Sequence, residues 1–453
     1  MDSSKKSNIY LSSLTNIGYF ALGTCTGWTS PVMPKLRNIT SDSPLKVSVD
    51  YQEEGWISSA LTIGALIGCP LAGPLANRVG RKWALLISAS IFASAYFLFL
   101  LTSTIWQIYV GRVLQGIASG LVCTVMPMYI AEVSTDDTRG PLSSTIGLFM
   151  TSGILFVYTI GAFVSYLKLQ FCCLAVPLIF FGVFFFMPET PYFYAMKRRK
   201  SEAVKSLAFL RCRCRTAIRD EIEQIQSSVD ADMLHKGTLP EILRNPPNRK
   251  AFLICCGLLS FQELCGTDAV LFNTESIFIS AESPLKPAIA AIFVAATQVA
   301  ISLANPFIIK RFSRKAMLMT SAMGMCLGLF ALGLFFYVQT FSDATSILWI
   351  PIPALVLFNV MYSLGFGSVT WIVVGEILPT NIKATVSSFA TTLNWVLTFV
   401  VTRFYPDINE LGSYYAFWMF AGLCGLGFLF VLLYVIETKG LSLQEIQEKL
   451  NKS

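Results

Sequence analysis

Charge is scarce in this chain. Asp, Glu, Lys and Arg make up 13% of its 453 residues, against about a quarter in an average soluble protein. A water-soluble core is a poor reading of that composition. Histidine occurs once, at His235. It falls in a polar loop and reads as a solvated residue, not as a general base. The twelve cysteines contain no CxxC pair, so neither a disulfide framework nor a zinc site is indicated. They mostly fall in apolar runs, as small filler, apart from Cys212 and Cys214 in the loop. A Walker A pattern is missing, so nothing points to ATP. No nucleophile–base set or metal cluster appears, and neither an enzyme nor a cofactor is expected.

What is present is apolar sequence. Windows of about 20 residues, the length that spans a bilayer as a helix, fall at 10–33, 54–76, 83–102, 106–128, 141–164, 169–187, 250–279, 287–309, 315–338, 347–374, 384–402 and 413–436. The runs are continuous and lack the ten-residue alternation of a membrane barrel. The fold class expected is an all-α membrane protein with twelve transmembrane helices. Six precede a polar stretch at 188–249, expected to be a cytosolic and partly helical loop, and six follow it. The expected divisions are 1–187, 188–249, 250–436 and a cytosolic tail at 437–453.

The net charge of +7 raises the question of nucleic acid. Its distribution answers it. With the N-terminus inside, only Lys35, Arg37, Lys46, Lys168, Lys286 and Arg403 lie outside, and Arg112 lies within a helix. The other Lys and Arg are cytosolic, which is the positive-inside pattern. The partners expected are a lipid bilayer and a small solute, with no nucleic acid and no obligate protein partner. Asp2 to Asn8 lead into a long span without a cleavage site, so the first helix is expected to serve as an anchor. Asn38-Ile39-Thr40 is a sequon in the first outer loop, which makes Asn38 a glycosylation candidate. In the first span, Gly18, Gly23, Gly27 and Pro31 suit close packing or breaking.

The two halves repeat landmarks. Lys310 to Lys315 follows Asn77 to Lys82 by 233 positions, Glu376 and Lys383 follow Glu132 and Arg139 by 244, and Glu437-Thr438 follows Glu189-Thr190 by 248. Two pseudo-symmetric six-helix bundles are the simplest source of three landmarks in one order. Internal repeats of this kind mark secondary transporters.

Gly80-Arg81-Lys82, Gly111-Arg112, Glu132 with Arg139-Gly140, Pro188-Glu189-Thr190-Pro191, Gly375-Glu376-Ile377-Leu378-Pro379 and Glu437-Thr438-Lys439-Gly440 resemble the signature set of the sugar porter family of the major facilitator superfamily. Gly-Glu-Ile-Leu-Pro with Asn394-Trp395 most resembles the insect-type facilitated trehalose transporters. The resemblance implies the major facilitator fold and facilitated movement of trehalose or a hexose by alternating access. It implies a multi-pass protein, at the plasma membrane by family default, with both termini cytosolic. It implies gating ion pairs among Arg81, Glu132, Arg139 and Glu189, and among Arg314, Glu376, Lys383 and Glu437. It places sugar contacts at Gln262, Glu263, Asp268, Gln298, Trp371 and Asn394. For Trp371 the plainer alternative is core packing; for Gln298 and Asn394 it is an interhelical hydrogen bond.

The chain departs from that family in places. Glu263 and Asp268 stand where amides are usual, and Glu275 adds a third acid. An ionised group at bilayer centre costs roughly 2.5–3.5 kcal/mol on insertion scales. The acids could alter selectivity, couple transport to protons, or mark lost sugar binding. Gly23 to Gly27 carries no acid, which favours facilitated diffusion. Gly367-Ser368-Val369-Thr370-Trp371 lacks the prolines usual there, so that span has less reason to break. Gly147 stands at a usual glutamine and Tyr192 at a usual arginine. The alternatives kept are a proton-linked carrier of another polyol or organic solute, and a sugar sensor, against which the short tail argues.

Overall fold

The computed structural model describes residues 16–37, 44–134, 136–211, 218–234, 244–441 and 443–452. Asn38 lies outside them. Among the described residues there is no strand. In chain order the helices are α1 (Ile17–Gly27), α2 (Thr29–Arg37), α3 (Tyr51–Val79), α4 (Arg81–Leu100), α5 (Ile105–Val133), α6 (Asp136–Phe163) and α7 (Tyr166–Phe185). Then come α8 (Pro191–Met196), α9 (Lys200–Arg211) and α10 (Arg219–Leu234). The second half holds α11 (Pro246–Leu264), α12 (Thr267–Ser280), α13 (Pro287–Arg311), α14 (Arg314–Phe341), α15 (Pro351–Leu364), α16 (Val369–Ile377), α17 (Thr380–Leu411), α18 (Ser413–Tyr434) and α19 (Leu443–Lys452). Eleven stretches among the described residues are long and apolar enough to cross a membrane. The first expected span is present as the short pair α1 and α2.

A spanning helix satisfies its own backbone, which lipid cannot do for it. Its side chains can then face lipid. Trp106, Phe186, Phe307 and Leu433 are each at least 70% exposed. The polar stretch between the halves is not simply solvated. Helices α8 to α10, with the turn before α10, build a small core from Ala195, Ala203, Leu207, Ile218, Ile222, Ile225 and Val229.

The described chain divides into two compact units. One takes in Met1–Cys25, Ile63–Gly153 and Leu167–Lys236; the other takes in Thr26–Thr62, Ile154–Tyr166 and Gly237–Ser453. In the first, α3 and α5 approach through small residues. A Cβ on Gly64 would sit 2.1 Å from the Val113 carbonyl oxygen, and one on Gly120 2.7 Å from the Cys69 nitrogen. In the second, α14 and α18 join through a ring cluster of Tyr337, Tyr414 and Trp418.

Three spans are broken. The first breaks at Trp28, in line with its glycines. The seventh breaks at Cys265-Gly266, where Gly266 takes a φ of +81°. The tenth also breaks, between Leu364 and Val369, although the prolines are missing. That corrects the expectation of a more continuous helix. Gly365 replaces proline as the cause: a Cβ there would lie 2.2 Å from Ser321 Cβ. The freed backbone is taken up by side chains. Ser321 Oγ accepts from the Phe366 amide at 3.2 Å, and Asn305 Nδ2 donates to the Ser363 carbonyl at 3.1 Å.

Gly64→Val should overpack the α3–α5 contact and cost about 1–3 kcal/mol. Gly422→Ala, where a Cβ meets nothing within 4 Å, should be neutral or stabilising by up to about 1 kcal/mol. Thermal melting followed by fluorescence-detected gel filtration checks both.

Candidate functional site

Two charge clusters form, one in each unit, on the same plan. In the first, Glu189 accepts the backbone N–H groups of Arg81 (3.0 Å) and Lys82 (3.1 Å). The Arg81 guanidinium donates to Glu132 Oε1 at 3.0 Å and to the Ala76 carbonyl at 3.3 Å. Thr190 donates its hydroxyl to Glu132 Oε2 at 2.5 Å. In the second, Glu437 accepts the N–H groups of Arg314 and Lys315, each at 3.1 Å. Arg314 donates to Glu376 Oε1 and to the Ile309 carbonyl, each at 3.2 Å. Thr438 donates to Glu376 Oε2 at 2.6 Å.

Each cluster rests on the start of a helix. Arg81 opens α4 and Arg314 opens α14, so the first amides of those helices are orphan donors. A carboxylate from a distant segment caps them, as the helix dipole favours. The expected ion pairs Arg81–Glu132 and Arg314–Glu376 are formed. The two threonines were not singled out from sequence, although the repeated Glu-Thr dipeptide carried the signal. The side chains of Arg139 and Lys383 lie outside the described set.

The clusters differ in burial. Side-chain exposure is 5% for Arg81 and 13% for Glu132, but 14% for Arg314 and 31% for Glu376. The capping glutamates differ accordingly. Burial pushes the Glu189 carboxyl up despite the backbone donors around it. Burial also acts upward on Glu437, but the N–H groups of Lys439, Lys315 and Arg314 outweigh it and hold the carboxyl below its usual range.

A second group of polar side chains gathers at the break between α11 and α12. Glu263 sits in the last turn of α11 and is 8% exposed. Asn394 Nδ2 of α17 donates to its Oε1 at 2.7 Å, and the Thr398 hydroxyl donates to its Oε2 at 3.0 Å. Asp268, in the first turn of α12, stands close enough to Glu263 for the two acids to act on each other. Gln262 Nε2 donates to the Tyr362 hydroxyl of α15 at 3.3 Å, while its Oε1 is buried with no partner. Four of the six expected contact residues are thus brought together. Gln298 is buried on α13. Trp371 is 43% exposed, so it is not a core tryptophan. Thr398 and Tyr362 had no signal in the sequence, since each meets its partner only through the fold.

Arg112 is fully buried. It donates to the Cys25 carbonyl and to Gln115 Oε1, each at 2.9 Å. Cys25 lies at the C-terminal end of α1, where carbonyls lack helical partners, so the cation serves the first break. In the last turn of α2, Lys35 donates to the carbonyls of Gly161 and Val164, each at 2.6 Å. Arg37 pairs with the buried Glu54 and lies 4.4 Å from the Tyr51 ring centre.

Comparison with known proteins gives one coherent result. The family model described as "Sugar (and other) transporter" matches residues 15–450. A facilitated trehalose transporter of Anopheles gambiae is 35% identical over 440 residues, covering 96% of this chain and 55% of that protein. One from Apis mellifera ligustica is 34% identical over 431 residues, covering 94% of this chain and 85% of that protein. Among solved structures, the partially occluded inward-open xylose transporter XylE of E. coli aligns with a TM-score of 0.80 at 20% identity, over 96% of this chain and all of that one. That likeness is one of fold.

Glu132→Gln should destabilise the protein by about 3 kcal/mol, since it strands a buried guanidinium. Glu376→Gln, nearer to water, should cost about 1 kcal/mol. Melting temperatures of the two variants test the order. Glu437 adds a pH signature. Its folded pKa lies below the ordinary 4.5, so the ionised group stabilises above that pH and the contribution fades as pH falls through the folded value. The melting deficit of Glu437→Gln should therefore be full at neutral pH and shrink in acid. Glu189→Gln should show a smaller deficit, because burial already penalises that charge.

Proposed function

Because the chain belongs to the sugar transporter family, we propose that it carries a sugar, trehalose or a hexose, across a membrane down its gradient by alternating access. The observation that carries this reading is the polar group at the break of α11 and α12: the buried Gln262, Glu263 and Asn394, with the half-buried Asp268 beside them. Such side chains offer several donors and acceptors in a largely apolar wall, which is what a polyhydroxylated solute needs. Gln262 Oε1 is an acceptor without a donor, and a sugar hydroxyl supplies one. Gln298 and Trp371 extend the same site in this reading, with the indole as an apolar face.

The two charge clusters act as the gate. The more exposed Arg314–Glu376 pair is the cheaper of the two to break, which suits a contact that forms and opens in each cycle, while the more buried Arg81–Glu132 pair holds harder. Arg139 and Lys383 complete the clusters in this proposal. The spread of Lys and Arg supports cytosolic termini and a cytosolic face for both clusters. The plasma membrane is the proposed address.

Radiolabelled trehalose and glucose uptake in oocytes tests the reading. Saturable uptake of at least one sugar by the native chain is expected. Asn394→Ala should raise KM about tenfold, the worth of one hydrogen bond of about 1.4 kcal/mol. A native chain at the cell surface that moves neither sugar would sink the proposal.

A further inference from the structure

The two charge clusters share a plan, but their surroundings differ. In the first unit a cleft of about 370 Å³ opens beside the cluster, lined by Arg78, Trp83, Phe193, Tyr194, Lys197 and Arg199. At the offsets of 233 and 248 positions, the second unit has Ala316 for Trp83, Glu445 for Lys197 and Gln447 for Arg199. The duplication therefore does not account for the cleft, since these bases and this ring belong to the first unit alone. We propose that the cleft binds the phosphate of an anionic glycerophospholipid, with the acyl chains lying along α4 and α7. The inference needs only the membrane setting and the topology proposed above, and it holds whatever the solute is.

The cations of the cleft are available to an anion. Among the described residues, no carboxylate pairs with Arg78 or Lys197. Arg199 meets Glu202 at 3.6 Å with both side chains exposed, a contact of little worth. The acid at the back of the cleft is Glu189, and its oxygens are taken up by the amides of Arg81, Lys82 and Thr190. The Lys197 ammonium lies 5.8 Å from the centre of the Phe193 ring. A fixed turn presents these bases. Arg198 holds a φ of +56°, and the amides of Arg198 and Arg199 donate to the carbonyls of Ala195 at 2.9 Å and Tyr194 at 2.8 Å.

The position of the cleft favours a lipid over a free phosphate. α3 ends at Val79, α4 begins at Arg81 and α7 ends at Phe185, so three spans meet the membrane boundary here. Trp83, Phe185 and Phe186 are exposed at these ends, and rings at this level are typical of the interface between hydrocarbon and headgroups. The Lys82 ammonium lies 6.0 Å from the Trp83 ring centre and 5.5 Å from that of Phe185. It stands where a long basic side chain reaches from the hydrocarbon to the headgroups. The matching Lys315 of the second unit donates instead to the Leu432 carbonyl at 2.8 Å. A free phosphate would use the cations and leave the rings idle, whereas a phospholipid uses both. On the proposed topology this end is cytosolic, and the cytosolic leaflet is the one that carries anionic lipid.

The test titrates the purified full chain in detergent with dioctanoyl phosphatidylserine and reads the rise in melting temperature. Dioctanoyl phosphatidylcholine, glycerophosphoserine and inorganic phosphate are titrated in parallel. Phosphatidylserine should stabilise saturably, and the other three only at much higher concentration. Arg78→Gln combined with Lys197→Gln should weaken its binding about thirtyfold, as two lost headgroup contacts imply. Lys310→Gln combined with Arg311→Gln removes the same charge outside the cleft and should change it by less than about twofold. Trp83→Ala should weaken the lipid but not inorganic phosphate. Equal stabilisation by phosphatidylcholine, or equal loss from the two charge pairs, would overturn the site. Glycerophosphoserine or phosphate binding as tightly as the lipid would overturn the lipid and leave a soluble-anion site. Should the cleft variants fail to fold, a phosphatidylserine with a photoreactive headgroup is crosslinked to the native chain. Labelled peptides from 78–83 or 185–199 support the proposal; labels confined to other segments overturn it.

Discussion

Lipid offers no hydrogen bonds, and every break in a spanning helix must therefore be satisfied by the protein itself. That constraint explains a set of buried polar groups in this chain. Arg112 serves the Cys25 carbonyl beside the first break. Asn305 and Ser321 serve the backbone around the tenth. At the seventh, Cys265 donates to the Gln262 carbonyl. Each of these side chains serves a place where the backbone ladder stops, and the broken segments are also where transporters of this architecture keep their solute sites.

The same logic operates at the helix starts. Arg81 and Arg314 each use two kinds of donor at once, a backbone amide to a capping glutamate and a guanidinium to a second glutamate. Removing one member therefore uncaps a helix as well as breaking an ion pair. A threonine hydroxyl closes each set. Two clusters built so alike, from residues separated by 233 to 248 positions, are a stronger mark of duplication than sequence landmarks alone. Their unequal burial shows where the halves have drifted: the same carboxylate cap is favoured as an anion in one unit and penalised in the other.

Much of this was legible in the sequence because it depends on length and local order. Apolar windows located the spans, and a repeated offset located Arg81, Glu132 and Glu189 with their counterparts. Less was legible where one residue type can substitute for another in the same physical job. The tenth span lacks the prolines that signal a break, but Gly365 permits an approach to Ser321 that a Cβ would prevent. Thr398 and Tyr362 were invisible for another reason. They act across more than ninety residues of chain, on Glu263 and Gln262 respectively, and no spacing rule connects them.

The acids of the seventh span show how the reading of one residue changes when its neighbours are known. In sequence, Glu263 and Asp268 are two separate costs, each a charge in the membrane. In the structure Glu263 receives donors from Asn394 and Thr398 of α17. The acid that reads in sequence as a bare cost is thus a hydrogen-bonded link between two spans, and its oxygens are satisfied by neutral donors instead of a cation.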